Sequence, residues 1–220
     1  MKRIPEPEYM DMQDEADAYA DADFNDVNAA FVNDLLAFVG DRDQARIIDM
    51  GTGPGDIPQR ILSARPQWHV IGVDASLAML LRASDGRKRR SDEVIPGYVQ
   101  CDVKWLPFAA ATFCVVISNS ILHHVTGVES FWREIKRIGK PGAALFLRDL
   151  ARPTSEAEAA DLVATRAGTE SALLQEEFYR SLLAAYTPEE VRGQLDKAGI
   201  CGMQVMQVSD RHLDVKGRLP

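Results

Sequence analysis

Short apolar runs alternate with stretches of helical spacing along most of this chain, and that alternation carries the first predictions. Arg46–Met50 reads as a short buried strand, and His69–Val73 as a second that ends in Asp74. A third lies near Tyr98–Cys101, followed by Asp102. The apolar run Thr112–Ser118 makes a fourth, and Ala143–Leu147, ending at Arg148 and Asp149, a fifth. Between them the spacing turns helical. Val27–Val39 puts Val27, Phe31, Leu35 and Phe38 on one face, with Gly40 as a stop. Asp56–Ala64 is a second helix, a third is capped by Ser76 and runs to about Ala83, and a fourth spans about Glu129–Ile138 before Gly139-Lys-Pro-Gly142. Strands alternating with helices predict an α/β fold with a doubly wound, mostly parallel sheet.

Residues 151–186 break the rhythm and predict a helical insertion after strand five. Ser155 with Glu158 makes a capping box, Gly168 is a stop, and a second helix runs about Ser171–Ala185. Thr187-Pro188-Glu189-Glu190 is a strong helix start, and that helix ends near Gly199. Met203–Val208 and Arg211–Val215 follow as strands around a Ser209-Asp210 turn, a connection short enough to require antiparallel pairing. The reading is a leader over residues 1–28 and one domain over residues 29–220, with residues 151–186 as a helical cap.

Charge changes the picture at one end. The chain of 220 residues carries 33 acids and 25 Lys+Arg, a net −8. Residues 1–28 hold nine of the acids and two bases, −7, so the remainder is −1. The leader reads either as a solvated acidic run or as an ordered flap; Tyr9, Tyr19 and Phe24 interleave with its acids, and disordered tails have few aromatics. No apolar run reaches the roughly 18–20 residues of a membrane span, and MKRIPEPEYM lacks the apolar core of a signal peptide, so the expected location is the cytoplasm. Cys101, Cys114 and Cys201 are scattered, and no paired His/acid ligand pattern stands out, so no metal site is expected.

The densest chemistry lies at the first strand–helix junction. Gly51-Thr52-Gly53-Pro54-Gly55 lets the backbone turn tightly and approach a ligand closely. Asp74, 19 residues after Gly55, ends the next strand, where a carboxylate can accept both hydroxyls of a ribose. Dinucleotide sites use G-x-G-x-x-G and put a pyrophosphate on the helix N-terminus. Here the third glycine comes one residue early, and Asp49 and Asp56 flank the loop with charge that repels phosphate. Acids there suit a ligand with an ammonium and a second positive centre, as in S-adenosyl-L-methionine.

IIDMGTGPGDIPQRI, VIGVDASLAM, VQCDVKWLPF, FCVVISNSILHHV and GKPGAALFL resemble the ordered motifs of class I S-adenosylmethionine-dependent methyltransferases, over about residues 46–150. The small-molecule branch similar to quinone-biosynthesis methyltransferases is the nearest in character. The resemblance implies a Rossmann-like seven-stranded sheet with the last strand antiparallel. It implies that Asp49, Gly51, Thr52, Gly53 and Gly55 surround the methionine part of the cofactor. It implies that Asp74 holds the ribose, with Ala75, Ser76 and Met79 beside the adenosine. Cys101, Asp102 and Val103 would frame the adenine, Asn119 would approach the methionine portion, and Tyr19 would reach the cofactor from the leader.

Methyl transfer of this kind is an in-line displacement that needs alignment and exclusion of water, and at times a base for the nucleophile's proton. His123 and His124 are the natural bases after strand four. On a short helix adjacent side chains point about 100° apart, so one of the two is expected to face the site, with His124 preferred. Asp149 and Arg148 end strand five, where ligands of open sheets gather; Asp149 is a further catalytic candidate and Arg148 a substrate contact. Phe178 and Tyr179 fit a helical stripe that would roof the acceptor, and Arg211 begins the last strand as a weaker substrate contact.

The expected function is methyl transfer to a small-molecule acceptor. A nucleic-acid methyltransferase is a rival, kept alive by basic residues at Arg82–Arg90, but Ser118-Asn119-Ser120-Ile121 departs from the Asp/Asn-Pro-Pro-aromatic motif of base-amino methylation, and the net charge opposes phosphate binding. A non-catalytic S-adenosylmethionine-binding protein is the other rival. Sequence alone leaves the acceptor and the oligomeric state open.

Overall fold

The computed structural model describes residues 1–6, 24–85 and 95–220, so Tyr9, Tyr19 and the basic run beyond Asp85 lie outside the described residues. In chain order the elements are α1 (Asn25–Val39), β1 (Arg46–Met50), α2 (Asp56–Ala64), β2 (His69–Asp74), α3 (Leu77–Asp85), β3 (Gly97–Gln100) and β4 (Phe113–Asn119). They continue with α4 (Val128–Ile138), β5 (Gly139–Leu150), α5 (Glu156–Arg166), α6 (Ala172–Ala184), α7 (Pro188–Ala198), β6 (Gln204–Gln207) and β7 (His212–Arg218). The strands form one sheet in the order β3-β2-β1-β4-β5-β7-β6. Every pairing from β3 to β5 is parallel, and β7 runs against both of its neighbours. The doubly wound sheet with an antiparallel last strand is therefore as the sequence predicts.

Alternation along the central strands builds two cores, one on each face of the sheet. Ile47, Val115, Ile117 and Phe146 pack with Phe31 and Leu35 of α1 and Ile57 and Ile61 of α2. Ile48, Val116, Leu145 and Leu147 pack on the other face with Phe131, Trp132 and Ile135 of α4 and Val191 and Leu195 of α7. A third, smaller core joins Leu150 to Ala159 and Leu162 of α5 and to Leu182 and Leu183 of α6. None of the described helices is long and apolar enough to cross a membrane.

Three local expectations shift. β5 begins four residues early, at Gly139, and continues through Arg148 and Asp149 to Leu150; a register irregularity between Phe113 and Val115 absorbs the Lys140–Gly142 turn residues. Ser155 does cap α5 through the Glu158 amide, but the Glu158 carboxylate reaches the Thr154 amide and hydroxyl at 2.7 and 2.6 Å instead of closing a box on Ser155. On α1 the buried side is Phe31, Val32, Leu35 and Val39, one step round from the predicted stripe. Val27 and Phe38 are thereby turned toward the cavity described below. The Thr187/Glu190 capping box with Pro188 in the first turn forms in full.

Candidate active site

The glycine loop is built by the strand before it and the strand beside it. The amides of Gly51 and Thr52 both donate to the Val73 carbonyl, which fixes the loop to the end of β2. Gly51, Gly53 and Gly55 all have positive φ, where a side chain would be strained. A Cβ on Gly51 would strike Ile121, whereas a Cβ on Gly53 would meet nothing within 4 Å. The loop thus closes against the protein on one side and offers bare backbone on the other.

Two carboxylates face this loop. Asp74 accepts from the Gly53 amide at 2.8 Å with one oxygen and from the Ser76 amide at 2.9 Å with the other. Ser76 in turn accepts from the Met79 amide, so Asp74, Ser76 and the start of α3 are one hydrogen-bonded unit. Asp49 is 1% exposed. Its Oδ2 accepts from the Thr52 hydroxyl at 2.7 Å, but its buried Oδ1 has no hydrogen-bond partner among the described residues. Burial pushes the Asp49 carboxyl up to about 7; the Thr52 bond opposes the rise and Asp74 adds to it. An orphaned carboxylate oxygen beside bare glycine backbone fits an ammonium-bearing ligand. These residues therefore match the donor and acceptor set that S-adenosylmethionine requires.

At the end of β3, Cys101 donates its amide to the Asp74 carbonyl. Burial, Asp102 and Asp74 push the Cys101 thiol up to about 11, so it stays protonated and is no nucleophile. The Asp102 carboxylate is held by the Lys104 amide at 2.8 Å and by the Lys104 ammonium at 3.0 Å, and Val103 is buried beside it. Ala75 accepts from Gln100 Nε2 at 3.0 Å.

Beyond Asn119, at the end of β4, lies a cavity of about 880 Å³. Its walls come from α1, the β4 and β5 ends, α5, α6 and β7. Asn119 links the two halves: its amide donates to Asn28 Oδ1 at 3.4 Å, and Asn28 donates to Asp56 at 2.8 Å. From α6, Leu174, Glu177, Phe178 and Ser181 face the cavity at helical spacing. Tyr179 instead packs on the small core of the cap. Arg211 and His212 stand at the β7 end, and burial, Arg211 and Arg148 push the His212 imidazole down to about 4, so it is neutral at neutral pH.

Arg148 lines the cavity with its charge already engaged. Nε and Nη2 form a two-point contact with Asp214 at 2.7 and 2.8 Å, and Nη2 reaches Asp34 at 2.8 Å. The expected substrate contact is thus a mostly buried ion-pair centre between α1, β5 and β7.

His123 and His124 sit in a turn after β4, not on a helix, so the predicted 100° divergence does not hold. Their rings lie 4.2 Å apart, both bordering the cavity, with His123 at 3% and His124 at 18% side-chain exposure. Asp149 sets the turn. Its carboxylate accepts from the Leu122 amide, the Leu150 amide and His123 Nδ1. Asp149, expected from the sequence as a catalytic candidate, is buried and not among the residues that line the cavity.

The third partner, Glu6, carries no signal in the sequence pattern. Residues 1–6 lie along the end of α6: the Ile4 amide donates to the Leu183 carbonyl, and Arg3 donates to the Ala184 and His123 carbonyls while stacking on Tyr186. This brings Glu6 Oε1 to 3.3 Å from His124 Nδ1 and 3.6 Å from His123 Nε2. Burial raises the Glu6 carboxyl above its usual range, with His123 opposing. Burial by itself would lower the His123 imidazole, but Asp149 and Glu6 outweigh it and hold it above its usual value.

Comparison with known proteins places this geometry. Residues 48–147 match the family described as "Methyltransferase domain". The chain is 33% identical over 119 residues to a ubiquinone/menaquinone biosynthesis C-methyltransferase of Desulfotalea psychrophila, covering 54% of this chain and 47% of that protein. It is 33% identical over 165 residues to a trans-aconitate 2-methyltransferase of an Acidovorax species, covering 69% and 60%. The chain spans about half the length of the curated relatives it matches, from 37 to 60% for the first three. In structure it resembles an S-adenosylmethionine-dependent methyltransferase of Aquifex aeolicus, with a TM-score of 0.71, 17% identity, and coverage of 95% of this chain and 99% of that one. Residues 48–147 are thus a methyltransferase domain that contains the glycine loop and the acids at the ends of β1 and β2, and the fold of the chain is like that of S-adenosylmethionine-dependent methyltransferases.

Proposed function

We infer that this chain transfers a methyl group by in-line displacement to a small molecule held in the cavity between α1, α6 and β7. The observation that carries the reading is the cavity itself: it begins at Asn119, where the glycine-loop half of the site ends, and its size suits one small acceptor. The cofactor, when bound, supplies an electrophilic methyl carbon on a sulfonium centre. Asp49 and the glycine loop would hold its amino-acid end, Asp74 its ribose, and Ala75, Ser76, Met79, Cys101, Asp102 and Val103 its adenosine; Tyr19 belongs to the same set but lies outside the described residues.

The chain's own residues do the rest. Phe178 and Leu174 from α6, with Val27 from α1 and Phe24 just before that helix, exclude water from the acceptor. His124, the more exposed of the two rings, takes the acceptor's proton; Asp149 fixes the turn that carries it. Arg148 and Arg211 shape the polar end of the wall. The start of α1 and the cap over residues 151–186 enclose the acceptor from two sides; the rest of the flap expected over residues 1–28 lies, from residue 7 to 23, outside the described residues.

The test is an acceptor panel with methyl-labelled cofactor, spanning carboxylic acids, phenols, quinols, amines and thiols, read by mass spectrometry. Label in a small molecule supports the reading. Label only in RNA or DNA, with binding that weakens steeply with salt, would replace it by the nucleic-acid alternative. Tight cofactor binding with no labelled product on any acceptor would leave a non-catalytic binder.

A further inference from the structure

The sequence gives no metal-ligand pattern, because the acid that completes one lies 117 residues before the first of the two histidines. We propose that Glu6, His123 and His124 form a binding site for a divalent transition cation of the zinc class. One ligand atom from each of the three lies within 4.8 Å of the others. Glu6 Oε1 stands 3.3 Å from His124 Nδ1 and 3.6 Å from His123 Nε2. Tetrahedral zinc with bonds of about 2.0–2.1 Å separates neighbouring ligand atoms by about 3.3–3.4 Å, so Glu6 already stands near the required spacing from each ring, with the two ring nitrogens within 4.8 Å of each other.

Two further observations point to a ligand. Glu6 is 8% exposed, and its Oε1 is buried with no hydrogen-bond partner among the described residues. A buried carboxylate oxygen left unbonded is costly unless a cation neutralises it. The second is the support behind His123. Asp149 Oδ1 lies 2.5 Å from His123 Nδ1, which puts a proton on Nδ1 and leaves Nε2, turned toward Glu6, as the nitrogen that a cation can claim in place of a proton. A carboxylate behind a ligating histidine is the arrangement that orients such a ligand and raises its basicity. Glu6 is held in its turn by the Ser181 hydroxyl on Oε2 at 3.3 Å.

Two imidazoles and one carboxylate select zinc, cobalt or a similar ion over magnesium or calcium, which take oxygen ligands. Three protein ligands leave a position open, and His123 and His124 both border the cavity, so that position faces the acceptor. The inference rests on reading the cavity as the acceptor site, but not on His124 as the base. A cation there would orient an oxygen- or nitrogen-bearing acceptor and acidify it, the part His124 plays without one.

The full chain is stripped with a chelator, dialysed, and titrated separately with Zn²⁺ and Co²⁺. The expected result is one ion per chain by elemental analysis, with intense visible bands for bound cobalt from a low-symmetry four-coordinate site. Glu6→Gln and His124→Ala should each weaken the affinity at least tenfold, and Asp149→Asn about 10–100-fold, as loss of an outer-shell partner does. No stoichiometric uptake by the wild-type chain overturns the proposal. So does uptake that Glu6→Gln leaves unchanged, which would place the ion elsewhere. Cofactor binding by the stripped chain, read by calorimetry, is the separate check on the methyltransferase reading.

Discussion

Asp149, within β5, and His123, in the turn that follows β4, meet at 2.5 Å, carboxylate to Nδ1. The same carboxylate holds the amides of Leu122 and Leu150. Three donors converge on it, and an amide side chain offers only one acceptor atom in its place. Asp149→Asn should therefore cost about 2–3 kcal/mol of stability by denaturant titration. Nitrogen NMR of the His123 ring should report loss of the Nδ1-protonated tautomer. A ring spectrum identical to wild type would reduce Asp149 to a purely structural residue.

Asp49 makes cofactor affinity depend on pH. Its carboxyl titrates at about 7 in the folded chain against 3.8 in a free one. The sign follows: the folded state holds this proton more tightly, so the group's contribution is most favourable below pH 3.8 and is lost as pH rises to 7. An ammonium at the buried oxygen reverses the balance and releases the proton. Cofactor affinity should fall about tenfold per pH unit below 7 and level off above it. Calorimetry from pH 5.5 to about 7.5, short of the titration of an α-amino group, checks this, with proton release read from buffers of different ionisation enthalpy. Affinity flat across that range would remove the ammonium from Asp49.

Asp74→Ala should weaken cofactor binding by about 2 kcal/mol, roughly 30-fold, as loss of a charge-assisted bond does. Its own bonds to the Gly53 and Ser76 amides make part of that loss a loosening of the loop. Asp74→Asn, which keeps an acceptor for one amide, should lose less. Equal losses would mean the carboxylate serves the loop alone.

His124→Ala should lower turnover about 100-fold while leaving cofactor affinity within twofold. The measurement is kcat against the cofactor dissociation constant. A loss confined to cofactor affinity would make the ring a packing residue.

Arg148→Met should act on stability. Removing the guanidinium strands Asp214, whose side chain is 4% exposed, and a broken buried pair costs about 3–5 kcal/mol. The double variant Arg148→Met with Asp214→Leu should recover most of it. If the single variant folds as stably as wild type and loses only acceptor affinity, the ion-pair account fails.

What was legible in the sequence follows from chain distance. Asp49, the glycine loop and Asp74 fall within 26 consecutive residues, each at a strand end marked by an apolar run, so their coming together could be read from the chain. The acceptor half could not. Arg148 and Asp149 look like the polar end of a strand, yet both lie inside β5, because Asp214 satisfies one and the post-β4 turn the other. Glu6 sits in a segment without periodicity, and its placement comes from the Ile4 bond to Leu183, from the Arg3 bonds to Ala184 and His123 and from the Ser181 hydroxyl, partners all far away in the chain. The helix rule failed for His123 and His124 because a carboxylate, not a helical repeat, aims the first ring.

β7 is made after β5 and β6 but lies between them. During synthesis the glycine loop and its two acids can assemble once residue 119 and the β4 strand have emerged. The acceptor cavity has to wait for Asp214 and Lys216, and Arg148 stays without its main partner until then. A growing chain therefore has every residue of the glycine-loop side of the candidate site well before the far wall of the cavity exists.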